Sequence, residues 1–349
     1  MVLDMLNRDT DHVTLALPSK GAIADPTRNF LANCGLKVKK PNPRQYTGSI
    51  PAIPAVHVLF QRVKDVVYKV TDGTAQLGIT GLDVVAENPH EDLLVIHEAL
   101  GYGHCDLLVA VPEVWVDVET MADLVDVAED FREEHHRNLR VATTYTNLTR
   151  QFLHANGIHH FTMVRAEGAI EAAPTIGYAD IIVDLTQTGT TLRENHLRPI
   201  PDGVIIESQS CLVGNRRALE ENPQVLETAR IMLEYIDAAL QGKRYTQVTV
   251  NVRGESAEDV CAKVVANPVT RGLLGPTIAP IYGTDGENGQ WHTVTITMHT
   301  RDILTAVEHL RGIGGTQIIT TPVDYVFMET SPTFDKLRAQ LGQGEVVVE

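Results

Sequence analysis

Ala179-Asp180-Ile181-Ile182-Val183-Asp184-Leu185-Thr186-Gln187-Thr188-Gly189-Thr190-Thr191-Leu192 is the stretch that decides the fold class. A short apolar run that enters a hydroxyl-rich, glycine-bearing turn reads as a buried strand of an α/β protein, whose ligands sit at the strand's C-terminal end. Gly189 lets the backbone come close to a ligand, successive N–H groups point inward, and Thr186, Thr188, Thr190 and Thr191 add hydroxyl donors for a phosphate. Asp180 and Asp184 flank the apolar run and are acceptors for sugar hydroxyls. Phosphate donors beside hydroxyl acceptors point to a ribose 5-phosphate. A leaving group at its anomeric carbon makes the ligand a phosphoribosyl donor. The same pattern also fits an ordinary strand with a threonine-rich turn.

The design recurs along the chain. Residues 13–17 form an apolar strand running into Pro18-Ser19-Lys20-Gly21, followed by a helical stretch at 22–33 closed by Gly35. Residues 66–73 with Leu77-Gly78-Ile79-Thr80-Gly81 make a second unit, and 93–96, 106–111 and 139–142 supply further strands. Alternating strands and helices through roughly the first 215 residues predict two α/β lobes around a cleft. After Cys211, apolar residues at three- and four-residue spacings predict an amphipathic connecting helix over 219–240, ending at Gly242. Beyond it the order β-α-β-β-α-β, from Tyr245 to Thr320, predicts a small ferredoxin-like sandwich. Residues 283–290 read as a polar hairpin connection and 342–349 as a frayed tail.

Composition sets the partners. The chain has 349 residues, 45 acidic against 29 basic, for a formal charge of -16. That charge repels nucleic acid and anionic membrane surfaces, yet leaves room for a local cationic cluster binding small phosphorylated ligands. Mean hydropathy is -0.06 and no apolar run approaches a membrane span, so the expected place is the cytoplasm. Cys34, Cys105, Cys211 and Cys261 are far apart and read as small buried hydrophobes in a reducing compartment. The 14 histidines form no convincing metal set.

Seven segments carry a resemblance. Leu17 to Gly21, Asp72-Gly73 with Leu77 to Gly81, Gly101-Tyr102-Gly103-His104-Cys105, Val109-Ala110-Val111-Pro112, Thr143-Thr144-Tyr145-Thr146-Asn147-Leu148-Thr149-Arg150, Gly168 to Pro174, and Asp184 to Leu192 occur in this order. In that order the sequence resembles the ATP phosphoribosyltransferase family over about 200 residues. The C-terminal module resembles the regulatory domain of that family's long form, with Gly275-Pro276-Thr277-Ile278-Ala279-Pro280 as its best match.

The resemblance implies a type II periplasmic-binding-protein-like catalytic part with an ACT-like regulatory domain, transfer of phosphoribosyl from phosphoribosyl pyrophosphate to N1 of ATP, Mg2+ on the substrate phosphates, inhibition by histidine, and a homodimer or hexamer. The expected division is lobe I at 1–111 and 196–218, lobe II at 112–195, a connecting helix at 219–243, a regulatory domain at 244–330 and a tail at 331–349. Glu171, Asp184 and Lys20 are the expected catalytic residues. Asp180, Asp184, Thr186, Thr188, Gly189, Thr190 and Thr191 are expected to hold the donor.

Lys20, Gly21, Arg62, Arg150 and Gly81 are expected around ATP or pyrophosphate. Arg150 follows the Asn147-Leu148-Thr149 turn, where a helix N-terminus is also a candidate phosphate holder. Thr277 and Gly315 are the regulatory candidates. The chain departs from the family at Ala22, where many members carry arginine, and at Val66-Val67, where Ile-Pro is common. Three other readings compete: a Rossmann-like phosphoribosyltransferase, weakened because Leu185 rather than a second carboxylate follows Asp184; a solute-binding protein; and a catalytically silent two-lobed sensor of a small ligand.

Overall fold

A computed structural model describes residues 12–42, 44–166, 168–282 and 291–343. Residues 1–11, the hairpin connection 283–290 and the last six residues of the expected tail lie outside the described residues. Contacts divide the chain into one compact unit, Met1–Ala32 with Leu36–Ala229, and a second, Asn33–Gly35 with Arg230–Glu349.

The first unit begins with β1 (Val13–Pro18), α1 (Ala24–Asn33), β2 (Thr47–Ser49), β3 (Val56–Gln61), α2 (Val63–Thr71), β4 (Leu77–Gly81), α3 (Leu82–Glu87) and β5 (Leu93–His97). It continues through β6 (Cys105–Pro112), α4 (Met121–Glu133), β7 (Leu139–Thr143), α5 (Thr146–Ala155), β8 (Phe161–Arg165), α6 (Ala173–Ile176) and β9 (Ile181–Thr186). It closes with α7 (Thr190–Glu194), β10 (Leu197–Ser208), β11 (Ser210–Asn215) and α8 (Arg216–Glu221).

These strands form two mixed sheets, a six-stranded one in the order β2-β3-β1-β4-β11-β5 and a five-stranded one in the order β10-β6-β9-β7-β8. The chain passes to the second sheet between β5 and β6 and returns between β10 and β11. Two lobes joined by two crossings make the fold the type II periplasmic-binding-protein kind. β6 and β10 both pair in the second sheet, whereas the expected limits at 111 and 196 put them with the first lobe.

Period-two alternation explains why the second sheet is covered on both faces. Leu107, Val109, Val141, Ile181 and Val183 pack toward α4 and α5, while Leu108, Ala110, Ala142 and Ile182 pack beneath Ile170, Ala173 and Leu192.

The predicted connecting helix breaks near its start. Asn222 caps α8, and Pro223 opens α9 (Pro223–Gly242), where a missing N–H costs nothing. The second unit then holds β12 (Tyr245–Arg253), α10 (Ala257–Val265), β13 (Thr277–Pro280), β14 (Trp291–His299), α11 (Ile303–Gly312), β15 (Thr316–Pro322) and α12 (Pro332–Gln340). Its antiparallel sheet runs β13-β14-β12-β15, and α10 and α11 cover the face carrying Val248, Val250, Val294 and Ile296. This is the predicted ferredoxin-like sandwich.

The tail differs from expectation. Ser331 caps α12 by accepting from Phe334 N–H, and Leu337 is fully buried. Asp237 on α9 accepts from Ser331 Oγ at 2.5 Å and from Thr333 Oγ1 at 2.9 Å. Asp237→Ala is expected to remove about 2 kcal/mol from the docking of α12, because two hydroxyls lose a charged acceptor. Faster hydrogen exchange across 326–341, with that of β12 and β14 unchanged, is the measurement that checks it.

Candidate active site

Two adjoining hollows of the first unit are built from the same two chain segments. Ala22, Ile23, Val63 and Lys64 line a cavity of about 360 Å³ together with Gly81, Asp83, Cys105, Tyr145 and Leu185. Ser19, Lys20, Gln61 and Arg62 line a second hollow of about 650 Å³ with Lys40, Arg44 and Tyr46. The first is largely apolar and suits a flat organic group. The second gathers four cations and suits a polyphosphate. Lys20 and Arg62 thus come together as expected, and Gly81 sits at the wall of the adjoining cavity. Lys40 and Arg44 gave no sequence signal because they lie in an irregular segment some 20 residues beyond Lys20 in the chain.

Asp184 lies at the C-terminal end of β9, in register with Leu108. Burial pushes its carboxyl up to about 6, Leu185 N–H (2.8 Å) counters this, and Glu171 raises it further while Lys64 lowers it. Asp184, Glu171 and Lys64 therefore share one electrostatic neighbourhood. Lys64 Nζ stands 5.3 Å from the centre of the Tyr145 ring.

Tyr145 Oη donates to Asp83 Oδ2 at 2.6 Å, and Ser208 Oγ donates to Asp83 Oδ1 at 2.7 Å. Burial first, and then the Asp83 and Asp184 charges, push the Tyr145 hydroxyl well above the usual phenol range, so it stays protonated. The Cys105 thiol is pushed up to about 11, chiefly by burial and by Asp83, and is no nucleophile. Asp83, Tyr145 and Lys64 were missed as site residues. The sequence places Lys64 two residues from Arg62, but nothing local marks which of them faces the cavity.

Gly189 has φ +68°, the left-handed turn that the loop after β9 requires. Its N–H donates to Thr186 Oγ1 at 2.9 Å, and Thr188 and Thr190 hydroxyls lie 3.0 Å apart. Thr188, on the turn, and Thr190 and Thr191, in the first turn of α7, are exposed. The threonine-rich turn thus stands at the same strand end as Asp184.

Two expectations fail, and one pair of candidates is set apart. Asp180 stands at the other end of β9, 8% exposed, with its carboxylate taken by Arg137 Nη1 at 2.6 Å, Arg140 Nη2 at 2.9 Å and Arg140 N–H at 2.8 Å. It fastens β9 to β7 and does not face the loop. Arg150 is exposed on α5 and lines neither hollow described above, and the N-terminus of that helix holds Glu87 instead of a phosphate. Thr277 and Gly315 belong to opposite edges of the C-terminal sheet, with β14 and β12 between them, so one chain does not bring them together. Gly315 N–H instead closes the end of α11 by donating to Leu310 O at 2.8 Å.

Fold and cleft define a two-lobed α/β protein in which a largely apolar cavity adjoins a basin of four cations. A family model described as ATP phosphoribosyltransferase matches residues 62–236, and one described as HisG, C-terminal domain, matches 242–325. The chain belongs to the ATP phosphoribosyltransferase family, pentosyltransferases of the first step of histidine biosynthesis. It is 42% identical over 336 residues, 95% of this chain and 81% of the relative, to ATP phosphoribosyltransferase 2, chloroplastic, of Arabidopsis thaliana.

It is 38% identical over 94% of its length, and 98% of the relative, to ATP phosphoribosyltransferase of Bradyrhizobium diazoefficiens. Among solved structures, an ATP phosphoribosyl transferase (HisG:HisZ) complex from Thermotoga maritima matches 64% of this chain and 98% of its own, with TM-score 0.50 and 22% identity, a likeness of fold. The sensor reading is not favoured.

Proposed function

We propose that the cleft transfers the phosphoribosyl group of phosphoribosyl pyrophosphate to N1 of ATP. The observation that carries the assignment of roles is Lys64, which lines a cavity sharing two wall segments with the basin of Lys20, Lys40, Arg44 and Arg62, and whose charge, with that of Glu171, acts on Asp184. The purine enters the apolar cavity. Its N1 lone pair forms the new bond to the anomeric carbon as the bond to the pyrophosphate oxygen breaks. No covalent nucleophile is needed. Asp184 and Glu171 face the positive charge that develops on the ribose, Thr186 to Thr191 hold the 5-phosphate, and the basic residues take the departing pyrophosphate.

Among the described residues no cluster of three or more His, Cys, Asp or Glu forms a metal cage. Mg2+ commonly binds through one or two carboxylates and substrate phosphates, and Asp184 and Glu171 are the carboxylates we assign to it. When bound, the ion neutralises charge on the pyrophosphate.

We also propose that the C-terminal unit takes histidine as an inhibitor, with Thr277 and Gly315 offered at two separate edges, and that the chain works as a homo-oligomer. The four free cysteines support a reducing compartment such as the cytoplasm. Among the described residues no helix is long and apolar enough to cross a membrane. The test is formation of phosphoribosyl-ATP from the two substrates and magnesium, with pyrophosphatase to pull the equilibrium, in the presence and absence of histidine. Turnover suppressed by histidine supports both halves. Turnover without suppression removes the regulatory assignment, and its absence removes the catalytic one.

A further inference from the structure

Helix α5 lacks the features that normally secure a helix start. Its N-cap is Tyr145, whose side chain makes no capping hydrogen bond, and its first turn carries no acidic residue. Both deficits are made good from the other lobe. Glu87, 8% exposed, reaches from the end of α3 and accepts from Asn147 N–H at 2.9 Å and Leu148 N–H at 3.0 Å, with Thr146 Oγ1 at 3.4 Å. Asn147 Nδ2 returns a bond to Glu87 O at 3.0 Å. A carboxylate in the last turn of its own helix opposes the partial charge there, so its place is favourable only because the positive end of α5 receives it.

The residue that forgoes capping is the one the cavity uses. Tyr145 directs its hydroxyl to Asp83, one turn before Glu87 on α3, and presents its ring to Lys64. A local cap at position 145, which requires Ser, Thr, Asp or Asn, would remove that ring. We propose that Glu87 is a positioning residue for the transfer reaction: by capping α5 across the lobes it sets where Tyr145, and with it the ring-binding wall of the cavity, stands relative to Lys64 and Asp184. This rests on the transferase reading given above.

Glu87→Ala and Glu87→Gln in the full chain test it. With alanine, exchange of the Asn147 and Leu148 amides is expected to quicken at least tenfold, KM for ATP to rise about tenfold with a smaller change for phosphoribosyl pyrophosphate, and the 13Cζ tyrosine resonance of Tyr145, assigned with Tyr145→Phe, to move. Glutamine keeps one acceptor oxygen and is expected to bring KM back to within about threefold of the parent. It also serves if the alanine variant does not fold. Quickened exchange with an unmoved Tyr145 signal and parental KM would overturn the proposal, leaving a plain cap. If the parent itself shows no turnover, the transferase reading fails separately, while an unmoved Tyr145 resonance in the variant still overturns the positioning role.

Discussion

Asp184→Asn is expected to raise the melting temperature at pH 8 and to lower turnover by about 10²- to 10³-fold. The carboxyl's rise from 3.8 to about 6 comes first from burial, then from the Glu171 charge. Between those values the native chain binds a proton that the unfolded chain lacks. The stability this group supplies is therefore fully present below pH 3.8 and is lost as pH rises through about 6. At pH 8 its ionisation costs about 3 kcal/mol of stability.

Asparagine matches the protonated shape and keeps an oxygen for Leu185 N–H, so the variant escapes that cost and gains several degrees. It loses the negative charge, and a buried charge held at a cost is one that a developing cation or a magnesium-bearing substrate relieves. In the parent, kcat/KM is expected to fall as pH drops below about 6, with Asp184 taking up its proton. Thermal scans at pH 5 and pH 8, beside steady-state rates, decide the matter. A variant with unchanged turnover removes Asp184 from the chemistry.

The strands were legible because alternation and turn chemistry are local: 13–17, 77–81, 106–111, 139–142 and 181–184 all lie within strands of the folded chain. Which sheet a strand joins is not local. β6 is buried on both faces, and nothing in its residues separates the first sheet from the second, so the expected lobe boundary falls after it, at 111, instead of at the loop 98–104. The threonine-rich turn after β9 was readable for the same reason as the strands, being one continuous stretch. The rest of the cleft depends on residues brought from afar. Asp83 and Glu87 look like ordinary polar positions of a short helix until Tyr145 and the start of α5, some 60 residues on, complete their hydrogen bonds. Arg150 misled because a helix start was in the right place while its occupant came from another lobe.

Asp180 and Asp184 show how far spacing alone goes, and Asp180→Asn gives the second large effect. Both aspartates flank one apolar run, and only the direction of the strand, whose C-terminal end meets ligands, separates them in the sequence. Their sides of the run decide their fates: Asp184 is at the ligand end of β9, Asp180 at the end where Arg137 and Arg140 converge. Burial alone would raise the Asp180 carboxyl, but hydrogen bonds from Arg137 and Arg140 and the Arg137 charge hold it down to about 2.

A depressed value has the opposite linkage from that of Asp184. The stability Asp180 supplies is present above pH 3.8 and is lost as pH falls through about 2. Asparagine cannot accept from both guanidiniums as an anion does, and it leaves two arginines beside a buried amide. The expected loss is about 2–3 kcal/mol at pH 7, a fall of roughly 5–10 °C in Tm for a unit of this size. Turnover and KM for phosphoribosyl pyrophosphate are expected within about twofold of the parent when assayed well below the new Tm. A raised KM for the donor at unchanged Tm would return Asp180 to the ribose, and would mean that the arginines release it when substrate arrives.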